Sequence, residues 1–120
     1  MARVVAFIPD LLFGSNVVGA LQAGGHDPVL VSQADQLDGA LAGADVLVVD
    51  LTDDVTARIE TARRALSPGP PRTLAFYSHV EADVRDAART AGFDLVVPRS
   101  RMARATGDLI AELMGDAGAH

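Results

Sequence analysis

Short apolar runs rich in β-branched residues alternate along this chain with stretches whose apolar positions fall three or four residues apart. Arg3–Ile8 reads as a buried strand that stops at Pro9-Asp10. Phe13, Val17 and Leu21 then mark one face of a helix that Gly24-Gly25 ends. Val29–Val31 is a second strand, and Ala34–Leu41 a short, weakly periodic helix closed by Gly43. Val46–Val49 is a third strand running into Asp50, followed by a helix face at Val55, Ile59, Ala62 and Leu66. Pro68-Gly69-Pro70-Pro71 breaks the chain before a fourth strand, Thr73–Tyr77. Val80, Val84, Ala87 and Ala91 form the next helical stripe, Leu95–Val97 a fifth strand, and Leu109, Ile110, Leu113 and Met114 the last helix.

Five successive strand–helix pairs, with strands apolar on both faces, predict an α/β fold: a parallel sheet covered by helices on each side. Right-handed crossovers then favour the strand order 2-1-3-4-5. The 120 residues, 49% of them hydrophobic, suffice for one core without a staple. One domain is expected over residues 1–115, with 116–120 fraying. No apolar run is long enough to span a membrane, and Asp10 interrupts any signal-like segment, so a cytoplasmic location is expected.

Composition narrows the chemistry. Cysteine is absent, which excludes thiol catalysis and thiolate metal sites. Lysine is absent as well: all 10 basic residues are arginine, so no mechanism can use a catalytic lysine. A net charge of −6 argues against a direct grip on nucleic acid. Neither a G-x-G-x-x-G after the first strand, nor a G-K-[ST] loop, nor a G-x-S-x-G elbow is present, and no complete catalytic motif replaces them. A non-enzymatic module is therefore the stronger expectation.

In an open parallel sheet, ligands meet the carboxyl ends of the strands near the point where strand order reverses. That edge should carry Asp10, Asp50 with Asp53-Asp54, Ser78-His79, and Arg99 with Arg101. Asp10 and Asp50, ending neighbouring strands, should face each other across a cleft. Two like charges there call for compensation. A divalent ion such as Mg²⁺ held by Asp10 and Asp50, a salt bridge from Arg99 or Arg101, or carboxylates splayed into water would each serve.

With Asp10, Asp50 and Ser78 at the ends of the first, third and fourth strands, the chain resembles a response-regulator receiver domain of the chemotaxis-regulator type over essentially its whole length. The resemblance implies a flavodoxin-like fold, Asp50 as phospho-acceptor candidate, Asp10 in an acidic pocket for Mg²⁺, and Ser78 as the hydroxyl that contacts the phosphoryl group. It also implies a histidine kinase or an output protein as partner, with a homodimer through the fourth helix, fifth strand and fifth helix. Here that face would include Val84, Arg85, Arg89, Arg101 and Arg104.

The departures from the family are equally specific. Pro9 replaces one of two adjacent acids, Pro98-Arg99 stands where a Lys-Pro pair is usual, and the fifth strand lacks the switch aromatic. Leu51-Thr52-Asp53-Asp54 lacks the usual Met-Pro and Gly. This is the pattern of an atypical receiver, or pseudo-receiver: a stand-alone signalling or interaction module acting through protein contacts. Two alternatives stay open. One is a phospho-accepting receiver using Asp50, Mg²⁺, Ser78 and Arg99; the other is a small-molecule-binding flavodoxin-like domain using the Asp10/Asp50/Arg99 cleft.

The remaining residues have plainer readings. Ser78 with Glu81 fits a helix capping box, and Asp53-Asp54 begin the third helix. Phe13 and Phe76 fit the core. His79 suits a surface loop, His26 a structural turn at the opposite edge, and His120 a loose terminus.

Overall fold

The computed structural model describes residues 1–66, 69–78 and 82–115. Strand β1 (Arg3–Phe7) leads through α1 (Leu11–Ala23) to β2 (Asp27–Val31). A turn of 3-10 helix (Ala34–Gln36) enters the short α2 (Leu37–Ala40), and β3 (Val46–Asp50) follows. Next come α3 (Val55–Ala62) with its 3-10 extension (Arg63–Leu66), β4 (Arg72–Tyr77), α4 (Ala82–Ala91), β5 (Leu95–Pro98) and α5 (Arg99–Gly115). The strands form one parallel sheet in the order β2-β1-β3-β4-β5.

Side chains alternate along each strand, so the two faces of the sheet build two halves of the core. Val4, Ala6, Val46, Val48, Leu74 and Phe76 pack against α1 and α5, through Phe13, Val17 and Leu21 on one helix and Met102, Leu109 and Ile110 on the other. Val5, Phe7, Leu47, Val49, Ala75 and Tyr77 pack on the opposite face, against Leu37, Ile59, Ala62, Val84 and Ala88. Every residue of β3 is buried, because it lies at the sheet centre with helices on both sides.

Local differences from the sequence pattern have physical causes. Strand β2 begins at Asp27 and tolerates Pro28 because it is an outer strand, where a missing ladder donor costs least. On α4 the buried positions are Val84 and Ala88, one residue beyond the expected Ala87, which is exposed; the i, i+4 step keeps both against the sheet. Because Val84 is core, it is not part of an exposed contact face. Helix α5 starts at Arg99, well before the Leu109 stripe, so Arg99–Arg101 are its first turn and not a loop. It is broken at Ala105 (φ −129°, ψ 31°), where the Thr106 hydroxyl donates to the Met102 carbonyl at 2.6 Å. Gly92, at φ +108°, ends α4 in a conformation that side chains rarely adopt. Pro68, His79, Val80, Glu81, His120 and the 116–120 tail lie outside the described residues.

At the amino-terminal edge, aspartates tie neighbouring strands together. Asp45 accepts from the Arg3 amide at 2.8 Å, and Asp94 from the Thr73 amide at 2.8 Å. His26 Nδ1 accepts from the Ala2 amide at 3.0 Å, a structural role at the edge where the sequence placed it.

Candidate functional site

The carboxyl-terminal edge brings Asp10, Asp50, Ser78 and Arg99 to one end of the sheet. Asp50 pairs in register with Phe76, and Tyr77 with Pro98, so Ser78 and Arg99 each follow directly on paired strand ends. Asp10 closes the loop after β1 and Asp50 is the last residue of β3, and these two strands are the neighbours at which strand order reverses.

Asp10 is the N-cap of α1: its Oδ1 accepts from the amides of Leu12 and Phe13, each at 3.1 Å. Its Oδ2 lies 3.5 Å from Arg99 Nη2. The Arg99 guanidinium stacks on Phe13, with Cζ 4.3 Å from the ring centroid, and Phe13 rests on Phe76 at 5.0 Å between centroids. Arginine compensation of Asp10 was one of the three expected answers, and Phe13 is what aims the guanidinium. With side chains 48% and 50% exposed, this pair is a surface contact of small energetic weight.

Asp50 is held differently. Its side chain is only 4% exposed, and Oδ1 accepts from the Thr52 amide at 2.8 Å and the Thr52 hydroxyl at 2.5 Å, closing an Asx turn. Arg58, 12% exposed on α3, places Nη1 3.6 Å from Oδ1 and donates to the Asp50 carbonyl at 3.0 Å. Oδ2 accepts no hydrogen bond among the described residues. Since no buried side-chain oxygen there lacks a partner, Oδ2 is the atom left to solvent.

Arg58 escaped the sequence reading. Its signal was a cation three residues after Val55 and four before Ala62, on the face that α3 turns towards the sheet. Arg101 leaves the cleft, with Nη2 3.7 Å from Glu112 on the same helix. Ser78 is half-buried, and its hydroxyl makes no hydrogen bond among the described residues. Asp54 occupies the N-cap position of α3 at φ +46°, without a side-chain cap bond, while Asp53 accepts from the Asp54 amide at 2.9 Å.

As arranged, these donors do not fit a divalent cation. Both oxygens of Asp10 and Oδ1 of Asp50 already face donors, Pro9 supplies no carboxylate, and no group of three acidic or histidine side chains assembles among the described residues. Beside Asp10, Leu11 and Leu12 stand 63% and 76% exposed. A cavity of about 630 Å³, lined by Asp45, Leu66, Arg72, Asp94 and Leu113 among others, lies at the opposite edge.

No sequence-family model matches the chain, and no curated protein sequence does. Solved structures do. A response regulator from Thermotoga maritima superposes with a TM-score of 0.81 at 14% identity, over 96% of this chain and 98% of that one. A response regulator receiver protein from Burkholderia phymatum gives 0.80 at 19% identity, over 96% of each chain. A response regulator receiver domain from Clostridium thermocellum gives 0.82 at 13%, over 99% and 98%. The five-stranded fold of this chain is the receiver-domain, flavodoxin-like fold.

Proposed function

We propose that this chain is a receiver-like signalling module that works through protein contacts, with Asp50 serving as a structural anion and not as a switching phospho-acceptor. The observation that carries this reading is the seating of Asp50: Oδ1 holds two hydrogen bonds from Thr52 and faces Arg58, in a nearly dry setting. Besides a free oxygen, which Oδ2 supplies, a carboxylate nucleophile needs charge stabilisation arranged around the incoming group. Here the nearby cations are already committed to carboxylates.

The partner classes implied are a histidine kinase or an output protein, with a second copy of the chain as a further candidate, in a cytoplasmic setting. Arg85, Arg89, Arg101 and Arg104 on α4 and α5 are the polar part of the contact face. The exposed Leu11 and Leu12 beside Asp10 support contacts at the carboxyl-terminal edge as well. No helix among the described residues is long and apolar enough to cross a membrane.

The competing reading makes Asp50 a phospho-acceptor, with Mg²⁺ at Asp10 and Asp50 and phosphoryl contacts from Ser78 and Arg99. The solvent-facing Oδ2 of Asp50 is the observation in its favour. Intact mass after incubation with Mg²⁺ and a small acyl phosphate separates the two, with Asp50→Asn run in parallel. The proposal expects no adduct on the folded protein; one phosphoryl group on the unmodified chain, absent from the variant, would replace it with the phospho-accepting reading.

A further inference from the structure

We infer that Arg58 is the resident cation of the Asp50 site: its guanidinium supplies the charge compensation that would otherwise come from a divalent ion, and its presence keeps such an ion out. The inference deepens the proposed function and rests on it, because it names the group that balances Asp50 in its nearly closed setting.

An aspartate at the centre of a parallel sheet edge, 4% exposed, loses most of its hydration, and its charge must be balanced from within. Thr52 contributes two hydrogen bonds but no charge. The only guanidinium within ion-pair distance of this carboxylate among the described residues is that of Arg58, 3.6 Å away. Its donation to the Asp50 main-chain carbonyl at 3.0 Å fixes the planar group on the strand end, so the cation is positioned by backbone as well as by charge. The neighbouring loop cannot supply the oxygens that a hard cation prefers. Asp10 caps α1 and faces Arg99, and the adjacent position is Pro9. A divalent ion entering beside Oδ2 would meet a fixed positive charge at close range, in surroundings that screen poorly.

Two consequences are measurable on the full chain. The first is Mn²⁺ binding, followed by the loss of the free-ion paramagnetic signal; the second is the melting temperature in Mg²⁺ against chelator. The unmodified chain is expected to bind Mn²⁺ no better than Asp50→Asn, and to melt at the same temperature in both buffers. Removing the cation in Arg58→Gln should tighten Mn²⁺ binding at least about tenfold, as expected from deleting a neighbouring unit charge at an effective dielectric of about 20. Mg²⁺ should then raise the melting temperature of that variant, and adding Asp50→Asn to it should abolish both effects.

Arg58→Met, which keeps the length of the stem, replaces Arg58→Gln if the latter does not fold. Asp50-dependent Mn²⁺ binding by the unmodified chain would overturn the inference without any variant at position 58. Equal Mn²⁺ affinity with and without the guanidinium would overturn it too. Phosphoryl adduct formation is read separately, by intact mass, so failure here is distinguishable from failure of the functional reading.

Discussion

Two aspartates at the carboxyl-terminal edge of neighbouring strands carry different weights. Asp50 belongs to a nearly buried ion pair, so Asp50→Asn leaves the Arg58 guanidinium without a counter-charge. Breaking such a pair from one side costs about 3 kcal/mol, which urea unfolding should register. Thr52→Val removes one hydrogen bond to a charged acceptor and should cost about 1.5 kcal/mol in the same assay. At Asp10 the order of effects reverses. Asp10→Ala removes a helix cap worth about 1 kcal/mol, whereas Arg99→Ala, which breaks only the exposed pair and its stacking on Phe13, should cost less. Both variants lose the salt bridge, so a larger loss for Arg99→Ala than for Asp10→Ala would show the stacking on Phe13 to outweigh the cap.

Among the elements, β4 and β5 are joined at their starting ends by side chains as well as by the ladder. Thr73 and Asp94 exchange three bonds: the Thr73 amide to Asp94 Oδ2 at 2.8 Å, its hydroxyl to the same oxygen at 3.2 Å, and the Asp94 amide to the Thr73 hydroxyl at 3.0 Å. Thr73 is 1% exposed, so Asp94→Ala leaves a buried amide and hydroxyl without their acceptor, at a cost of about 2 kcal/mol. Amide exchange in β4 should accelerate with that loss. Legibility from sequence divides along similar lines. Strand runs such as Val46–Val49 and the Phe13/Val17/Leu21 stripe were plain, because burial on both sides of a sheet or one face of a helix writes itself as a period. The start of α5 was not: Arg99–Arg101 carries no apolar period, and the turn is fixed by Met102, a single fully buried residue.

Over the whole molecule, the fold was legible and the site only in part. Strand order follows from five apolar strands and the handedness of their crossovers, which demand little of any single residue. Which arginine meets which aspartate depends on helix rotation and on side chains several ångströms long, and no period reports that. Asp10, Asp50, Ser78 and Arg99 lie at the carboxyl-terminal edge, a position that strand ends make legible. Arg58 was missed because an arginine within an amphipathic helix looks like surface. A net charge of −6 spread over this body also bears on self-association. If a second copy docks through the arginine-bearing face of α4 and α5, the contact must recruit acidic groups from its partner. Sedimentation should then show dimerisation weakening as salt is raised; strengthening with salt would point to an apolar contact, such as one centred on Leu11 and Leu12.

The break in α5 at Ala105 makes a bracket of what would otherwise be a beam. The turn that carries Arg99 is seated on its own by Met102, while the longer arm beyond the break is bolted to the sheet by Leu109, Ile110 and Leu113. The two arms are therefore anchored separately, and the arginine that meets Asp10 sits on the shorter one.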